Sequence, residues 1–172
     1  MEELKYPIGK FDPTKEYDYE SALSALEFLK DYPKILRGIT ANMTEKQLDT
    51  AYRPEGWTAR QVIQHIADSH TNMYIRVKLA LTEENPTIKG YNEAEWAKLP
   101  DSALPIEDSL LIIEGLHNRL YHLLKNEPAA TFDKTFYHNG YQRTYILKNV
   151  LNLYKWHSQH HLEHIKICIK NA

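Results

Sequence analysis

The sequence has a single cysteine, Cys168, and only six glycines among its 172 residues. One cysteine cannot form a disulfide within a chain, so the fold must be stabilised by its core alone. The sequence also lacks any long apolar run, since its longest apolar stretches are a few residues, and its first residues lack the apolar segment of a secretory signal. We therefore expect a protein of the reducing cytoplasm.

Charge and size narrow the class of protein further. The 21 basic and 23 acidic side chains give a formal net charge of −2, and no basic block is present that could follow a phosphate backbone or an anionic membrane. With 42% hydrophobic residues, a chain of this length can fill one core of ordinary size. We expect a single domain over residues 1–172, in which residues 1–14 form an irregular arm.

Apolar residues at helical spacing predict four long helices. Pro33 should bend or restart the first of them, and Thr44 should cap a short helix that ends at Leu48. The sequence Thr58-Ala-Arg-Gln61 matches a capping box, so the second long helix should begin there. The predicted long helices cover about residues 15–38, 58–81, 106–125 and 145–170.

A short β-hairpin should interrupt the helices before the last one. Residues 135–144 place strand-type side chains on both sides of Asn139-Gly140, a pair typical of a type I′ turn. Residues 86–105 hold many turn formers, but Tyr91 and Trp96 are too apolar for a solvated linker, so this segment should pack on the helices. The predicted fold class is all-α, a four-helix bundle with a small β-hairpin before the last helix.

Histidine is frequent and unevenly placed. Four of the nine histidines fall between His157 and His164 on the last predicted helix, and three of them share its apolar face. Buried imidazoles need partners, because each neutral ring has a donor and an acceptor that are costly to leave unpaired. Residues i and i+4 project from one face, so either His157/His161 or His160/His164 can converge on a metal ion. The first pair lies nearer the centre of the apolar face, which favours it, and His164 is the first substitute.

A third ligand must come from another helix, and His65 fits better than His70. His65 belongs to a polar stripe beside an apolar face, an arrangement that suits a hydrated cleft. Three protein ligands would leave one position for water or substrate, as in catalytic metal sites. Asp68 or Asn72 is placed to orient a ligand or the bound water. The full stripe consists of Gln61, His65, Asp68, Ser69, Asn72 and Arg76.

Other readings of these residues are open. Ordinary core or surface histidines pair with carbonyl groups and tyrosine hydroxyls, which suits His117 and His122 because neither has a histidine at i+4. Cys168 lies almost two turns beyond His161, too far for a fourth ligand. A di-iron bundle would need two Glu-x-x-His motifs, and only Glu114-Gly-Leu-His117 is present. Nucleophilic serine chemistry has no signature, since Gly-x-Ser-x-Gly is absent.

Several motifs are specific in combination. They are Leu-Lys-Tyr-Pro-Ile-Gly near the start, residues 56–70 (Gly-Trp-Thr-Ala-Arg-Gln-Val-Ile-Gln-His-Ile-Ala-Asp-Ser-His), residues 74–88, Tyr91, Trp96, Asp101-Ser102 and residues 154–165. With these motifs the chain resembles the YfiT-like branch of the DinB superfamily over nearly its whole length. Asn92, where the family pattern has Asp, and the short segment 98–101 depart from that pattern in the loop over the expected cleft.

The resemblance implies a four-helix bundle and a metal-dependent hydrolase that tends to form homodimers. It also implies one zinc or nickel ion held by three histidines. By motif, these correspond to His65 in His-Ile-Ala-Asp, His157 after Trp156, and His161 four residues later. The ligand set chosen from helical spacing and the set implied by the resemblance are therefore the same.

Three functions remain in competition. The first is a metal-dependent hydrolase in which the ion lowers the pKa of a bound water and Asp68 acts as general base. The second is thiol S-transfer, because some members of the superfamily look like enzymes that join bacillithiol or mycothiol to electrophiles, and Arg76 would help to bind an acidic thiol. The third is a metal-stabilised bundle or sensor without catalysis. We expect one divalent transition metal per chain, zinc before nickel, with a small-molecule substrate and a homodimeric assembly.

Overall fold

Helices account for most of the chain, and the computed structural model describes residues 2–172. Among them are four long helices, three single-turn helices and three short strands. In chain order these are α1 (Glu2–Lys5), α2 (Tyr19–Thr40), α3 (Glu45–Leu48), α4 (Ala59–Thr82), β1 (Thr87–Ile88), α5 (Glu93–Trp96), α6 (Glu107–Leu124), β2 (Thr135–His138), β3 (Arg143–Ile146) and α7 (Leu147–Asn171). None of the described helices is long and apolar enough to cross a membrane.

The first long helix, α2, starts later than predicted and continues through Pro33. Asp18 caps it by accepting a hydrogen bond from the backbone N–H of Ser21. The expected restart at Pro33 does not occur, because a proline removes only one backbone donor from the helix. The carbonyl that would have accepted from that donor belongs to Leu29, and it bonds to the ring of His117 instead.

The capping box predicted at the start of α4 is confirmed. The Thr58 hydroxyl accepts from the Gln61 N–H, and the Gln61 side chain accepts from the Thr58 N–H. The last helix, α7, begins at Leu147 rather than at Tyr145, because Tyr145 and Ile146 pair with β2 as part of β3. The bundle helices are therefore predicted within a few residues at each end.

The long helices pack in a square whose diagonals join α2 to α4 and α6 to α7, two of the three pairs that are consecutive along the chain. Helix α2 packs against α6 and α7, and α4 packs against the same two helices. In a bundle whose helices run up and down in sequence, each helix would instead pack beside the next one along the chain. This arrangement puts α4 next to α7, the two helices that carry the predicted metal ligands.

The core has two apolar halves. One half forms around Leu26, Val77 and Phe132, and the other forms around Tyr32, Ile63 and Ile165. Histidines from three helices lie where the two halves meet, namely His70 on α4, His117 on α6 and His157 on α7. A polar layer inside an apolar core costs free energy unless its groups bond to one another.

The predicted hairpin is present and has a third strand. β2 pairs antiparallel with β3, and β1, from the segment that we expected to pack on the bundle, pairs in parallel with β2. The predicted type I′ turn is wrong, since the strands are joined by residues 139–142 and the loop residue with positive φ is Gln142, at 49°. Gly140 instead packs closely on His138, since a Cβ there would lie 3.2 Å from Cε1 of His138, which is tighter than ordinary van der Waals contact.

The N-terminal arm is more ordered than predicted and lies on α7. It contains the helical turn α1, and the carbonyl of Leu4 bonds to Nε2 of His164 at 3.2 Å. The ring of Tyr6 lies 6.0 Å from the ring of His160, and Phe11 lies 5.9 Å from Trp156. The arm therefore covers the edge of the histidine-rich helix.

Candidate metal centre

Three imidazoles from two neighbouring helices meet beside the polar layer of the bundle. His65 comes from α4, and His157 and His161 come from successive turns of α7. One ring nitrogen from each lies within 4.8 Å of the others, and the Nε2 atoms of His65 and His157 are 3.2 Å apart. The structure thus brings together the three residues predicted as ligands. Among the described residues, this group contains no carboxylate and no thiol.

The local structure explains how these rings are positioned. The rings of His157 and His161 are nearly perpendicular, with centroids 4.4 Å apart, as expected for side chains one helical turn apart. The ring of His65 packs on Trp57 at 4.9 Å. Trp57 directly precedes the capping residue Thr58, so the start of α4 and the support of His65 are formed by the same stretch of chain.

The spacing of the nitrogens fits a metal ion. Imidazole nitrogens bind zinc at about 2.0 to 2.1 Å, so two of them in a tetrahedral site are about 3.3 Å apart. The 3.2 Å between the Nε2 atoms of His65 and His157 agrees with that value. Three imidazoles without a fourth protein ligand among the described residues leave one position for water or substrate.

The electrostatics of the cluster also suit metal binding. Burial lowers the pKa of His65 to about 4. Burial also lowers the pKa of His157 and of His161, and repulsion among the neighbouring histidines adds to the effect. These rings are therefore neutral near pH 7, which is the form in which an imidazole binds a metal.

A second group of imidazoles lies on the other side of His161. His160, His161 and His164 also bring one nitrogen each within 4.8 Å of the others. His160 is 7% exposed, against Tyr6 and Trp156, and its Nδ1 atom has no hydrogen-bond partner. All three side chains of this group come from one helix. The first group differs because it joins two helices and one of its members, His157, lines a cavity.

The cleft leads from the surface to His157. Its inner part is a cavity of about 180 Å³ lined by His157, and its outer part is a groove of about 660 Å³ beneath residues 89–94. A further hollow of about 680 Å³ lies beside Arg60, and no histidine lines it. Both parts of the cleft are lined by Ser69, Arg76, Glu93, His138, Tyr141 and Tyr154. Of the three clustered histidines, His157 therefore lines the space that a small molecule could enter.

Two polar residues of the cleft were missed at the sequence level. His138 is 4% exposed, and its Nδ1 accepts from the backbone N–H of Tyr141 at 3.4 Å, so its Nε2 carries the proton. Glu93 lines the cleft together with Arg76, and burial raises the pKa of its carboxyl, an effect that the charge of Arg76 partly offsets. The glycine at position 140, two residues after His138, could have indicated that the His138 ring is closely packed. No feature of the sequence indicated that Glu93 lies near the last helix.

Asp68, the predicted general base, does not line the cleft. Burial, and to a lesser extent repulsion by Asp101, raises its pKa to about 6. Arg76 does line the cleft, and its guanidinium donates to the carbonyl of Lys89 at 3.4 Å. Cys168 is buried, which raises the pKa of its thiol to about 11, and it does not join the cluster.

Known proteins resemble this chain in sequence over nearly its whole length. The sequence profile of the DinB superfamily matches residues 29–165. A Bacillus cereus (strain AH820) protein named "Putative metal-dependent hydrolase" is 46% identical over 165 residues, which are 96% of this chain and 95% of that protein. A protein of the same name from Bacillus pumilus (strain SAFR-032) is 45% identical over 170 residues, covering 99% and 97%.

A solved structure has the same fold. YfiT from Bacillus subtilis superposes with a TM-score of 0.93 at 41% identity, covering 98% of this chain and 97% of that one. It is described as "a probable metal-dependent hydrolase with an unusual four-helix bundle topology". The names of these proteins and the histidine cluster together imply a metal ion.

Proposed function

This chain belongs to the DinB superfamily, and from that premise we propose that it is a metal-dependent hydrolase. The observation that carries the proposal is the convergence of His65, His157 and His161, of which His157 lines the inner end of a cleft. Three imidazoles and one open position are typical of catalytic zinc sites, whereas structural zinc sites have four protein ligands. We therefore propose zinc as the ion, with nickel second because imidazole also suits it.

The ion would supply the reactive water. A divalent ion bound in this way lowers the pKa of a water molecule toward 7 and can polarise a carbonyl or phosphoryl oxygen of the substrate. The chain's own residues then hold the substrate beside it. Tyr141 and Tyr154 form aromatic walls of the cleft, Arg76 offers a positive charge, and His138 offers an N–H donor.

A general base would be needed to remove a proton during hydrolysis. Asp68 has a pKa of about 6, so it is ionised at pH 7.5 and basic enough to accept a proton, although it does not line the cleft. Glu93 is the alternative, because its carboxylate lines the cleft that reaches His157. Asp68→Asn and Glu93→Gln separate the two, since loss of the true base should lower kcat by about 10²-fold or more.

Thiol S-transfer is the second candidate, and the charge at the rim of the cleft favours it. Arg76 and Lys89 line the groove and would pair with the carboxylates of an acidic thiol such as bacillithiol. This reaction would need a bound thiolate but no general base. Depletion of bacillithiol by a model electrophile, lost in Arg76→Ala and kept in Asp68→Asn and Glu93→Gln, would favour transfer over hydrolysis.

The metal content of the purified protein tests the ligand set. We expect about one zinc per chain in the wild type, and loss of zinc in His65→Ala, His157→Ala and His161→Ala. His122→Ala is the matched control, since His122 is an exposed histidine on α6. Retained zinc in His157→Ala together with loss in His160→Ala would overturn the proposed set. A panel of ester, amide and phosphoester substrates then tests hydrolysis.

We also propose a homodimer, as the family resemblance implies. The chain has a mass of 20.2 kDa, so light scattering coupled to size exclusion separates monomer from dimer clearly. A monomer at concentrations where the enzyme is active would contradict the proposal.

A further inference from the structure

A chain of three imidazoles crosses the core of the bundle and ends at one of the proposed ligands. Nδ1 of His117 bonds to the carbonyl of Leu29 on α2. Nε2 of His117 lies 2.7 Å from Nδ1 of His70, and Nε2 of His70 lies 3.3 Å from Nδ1 of His157. The remaining nitrogen of His157 is the Nε2 atom that faces His65.

The Leu29 carbonyl, the first acceptor in this series of imidazoles, is available because of Pro33. In an α-helix the carbonyl of residue 29 accepts from the N–H of residue 33, and a proline has no N–H. The Leu29 carbonyl is therefore left without its helical donor inside α2, and His117 supplies one. Without that bond a buried carbonyl would be unsatisfied, which is costly.

The Leu29 carbonyl fixes the position of the ring proton on each imidazole of the series. A carbonyl can only accept, so Nδ1 of His117 must carry the proton. His70 and His117 are 0% and 1% exposed, so their rings are expected to be neutral and to hold one proton each. Nε2 of His117 then has a lone pair and accepts from Nδ1 of His70. By the same count, Nε2 of His70 accepts from Nδ1 of His157, which leaves a lone pair on Nε2 of His157.

A shorter series of hydrogen bonds, from the Leu4 carbonyl through His164, fixes the ring proton of the ligand His161 in the same way. Nε2 of His164 lies 3.2 Å from the carbonyl of Leu4, so it donates, and Nδ1 of His164 has the lone pair. That atom lies 3.3 Å from Nδ1 of His161, which must therefore carry a proton. The lone pair of His161 is then on Nε2. This pairing also uses the single lone pair of His164, so His164 has none left to bind an ion in the second group of imidazoles.

We infer that His70, His117 and His164 are positioning residues, which fix Nε2 as the metal-binding nitrogen of His157 and of His161. The inference rests on the proposed function, because it assigns a purpose to these residues only if the cluster binds a metal. Groups that hold the other nitrogen of a ligating histidine fix its tautomer and ring orientation, and their loss commonly lowers metal affinity by about 10- to 100-fold.

The tautomers of the unaltered protein provide the first test. Long-range ¹H–¹⁵N NMR spectra of ¹⁵N-labelled protein distinguish a proton on Nδ1 from one on Nε2 for each histidine. In metal-free and zinc-loaded protein we expect protons on Nδ1 of His70, His117, His157 and His161, and on Nε2 of His164. An Nε2 proton or a doubly protonated ring at His70 or His117 would overturn the inference, whether or not zinc binds.

Variants at His117 provide the second test. In His117→Gln the side-chain amide oxygen can still accept from Nδ1 of His70. The leucine side chain of His117→Leu has no acceptor. We expect zinc affinity, measured by competition with a chelator, to fall about 10- to 100-fold in His117→Leu and to recover largely in His117→Gln. His122→Leu on the exposed side of α6 is the matched control and should bind as the wild type does.

The two tests separate this inference from the proposed function. If the wild type takes up no zinc or nickel, the proposed function fails, and the tautomers of the metal-free protein still decide the hydrogen-bond chain. If the wild type binds zinc and folded His117→Leu binds it equally well, the inference fails alone. If His117→Leu does not fold, the wild-type spectra decide.

Discussion

Three residues within about one turn of α4 face three different surroundings. His65 joins the metal cluster, Ser69 lies in the cleft and bonds with Tyr154, and Asp68 lies near Asp101. Successive helix positions differ by about 100°, so small steps along the chain select core, cleft or surface. The role of each of these residues therefore depends on its angular position around α4 as well as on its side chain.

Asp68 should make the stability of the metal-free protein depend on pH. Its pKa is about 6 in the folded protein and near 3.9 in an unfolded chain, so the folded state binds the proton more tightly. The resulting stability is present below about pH 4 and is lost as the pH rises through 6. Because the carboxyl is half-exposed, we expect Asp68→Asn to be more stable than the wild type by only about 1 kcal/mol at pH 7.5.

Urea denaturation in the presence of a chelator measures this effect. The two proteins should have similar free energies of unfolding near pH 3, roughly one unit below the unfolded-state pKa, where the wild-type carboxyl is mostly protonated in both states. Asp101→Asn should give a smaller gain at pH 7.5, because repulsion by Asp101 is the lesser cause of the shift. A loss of stability in Asp68→Asn at pH 7.5 would contradict the prediction.

At this scale the sequence predicted the residues that share a helix face, but not their partners across the bundle. His157 and His161 followed from i, i+4 spacing on an apolar face, and His65 followed from a polar stripe. The contact of His70 with His117 joins residues 47 positions apart, and periodicity gives no information on such pairs. His117 was predicted to be a structural histidine because it has no histidine at i+4, and His70 was passed over as a ligand in favour of His65.

Elements were predicted best where the local chemistry is self-contained. The N-cap predicted at Thr44 and the capping box predicted at Thr58 involve residues three apart, and both are present; Thr44 also forms a capping box with Gln47. The turn at Asn139-Gly140 was mispredicted because neither residue has the positive φ of a type I′ turn, and Gly140 instead packs closely on His138. The strand β1 was missed because its pairing depends on β2, far along the chain.

Removal of the cap of α4 should destabilise the protein. In Thr58→Ala the N–H of Gln61 loses its acceptor, and we expect the free energy of unfolding to fall by about 1 kcal/mol. Thr82→Ala, at the other end of the same helix, is the matched control and should change stability by less than about 0.5 kcal/mol. Thermal or urea denaturation followed by circular dichroism gives both values. Equal losses in the two variants would argue against a specific role of the cap.

Pro33 and His117 should be energetically coupled. In His117→Leu the Leu29 carbonyl has no donor, and Pro33→Ala would restore the helical N–H that bonds to it. We expect Pro33→Ala to stabilise His117→Leu by about 1 kcal/mol more than it stabilises the wild type. The four proteins of this double-mutant cycle can be compared by urea denaturation. Additive effects, as expected for Pro33→Ala combined with His122→Leu, would show that the two residues act independently.

At the scale of the whole molecule, the histidine cluster depends on the order in which the four long helices are placed around the square. Four helices and their approximate ends were predictable from apolar spacing, but their arrangement in the square was not, because helical periodicity does not specify neighbours. The order matters because α4 and α7 must be adjacent for His65 to meet His157 and His161. A bound ion would therefore link two helices that are far apart in the chain.

Zinc should stabilise the folded protein through this link. A ligand that binds only the folded state, at a free concentration 100 times its Kd, adds about 2.7 kcal/mol. For a chain of this size that corresponds to a rise in Tm of about 5 to 10 °C. Differential scanning fluorimetry should show the rise in the wild type and in His122→Ala, and its reversal by chelator. No shift is expected in His161→Ala, and an equal shift there would place the binding elsewhere.

The hydrogen-bond chain from Leu29 through His117 and His70 to His157 touches all four long helices. A helix cannot open away from its neighbours without breaking that chain, so the centre of the bundle should open as one cooperative unit. Amide hydrogen exchange should therefore slow together around Leu29, His70, His117 and His157 when zinc binds, although only two of the helices hold the ion. Protection confined to α4 and α7 would mean that the metal stabilises those two helices alone.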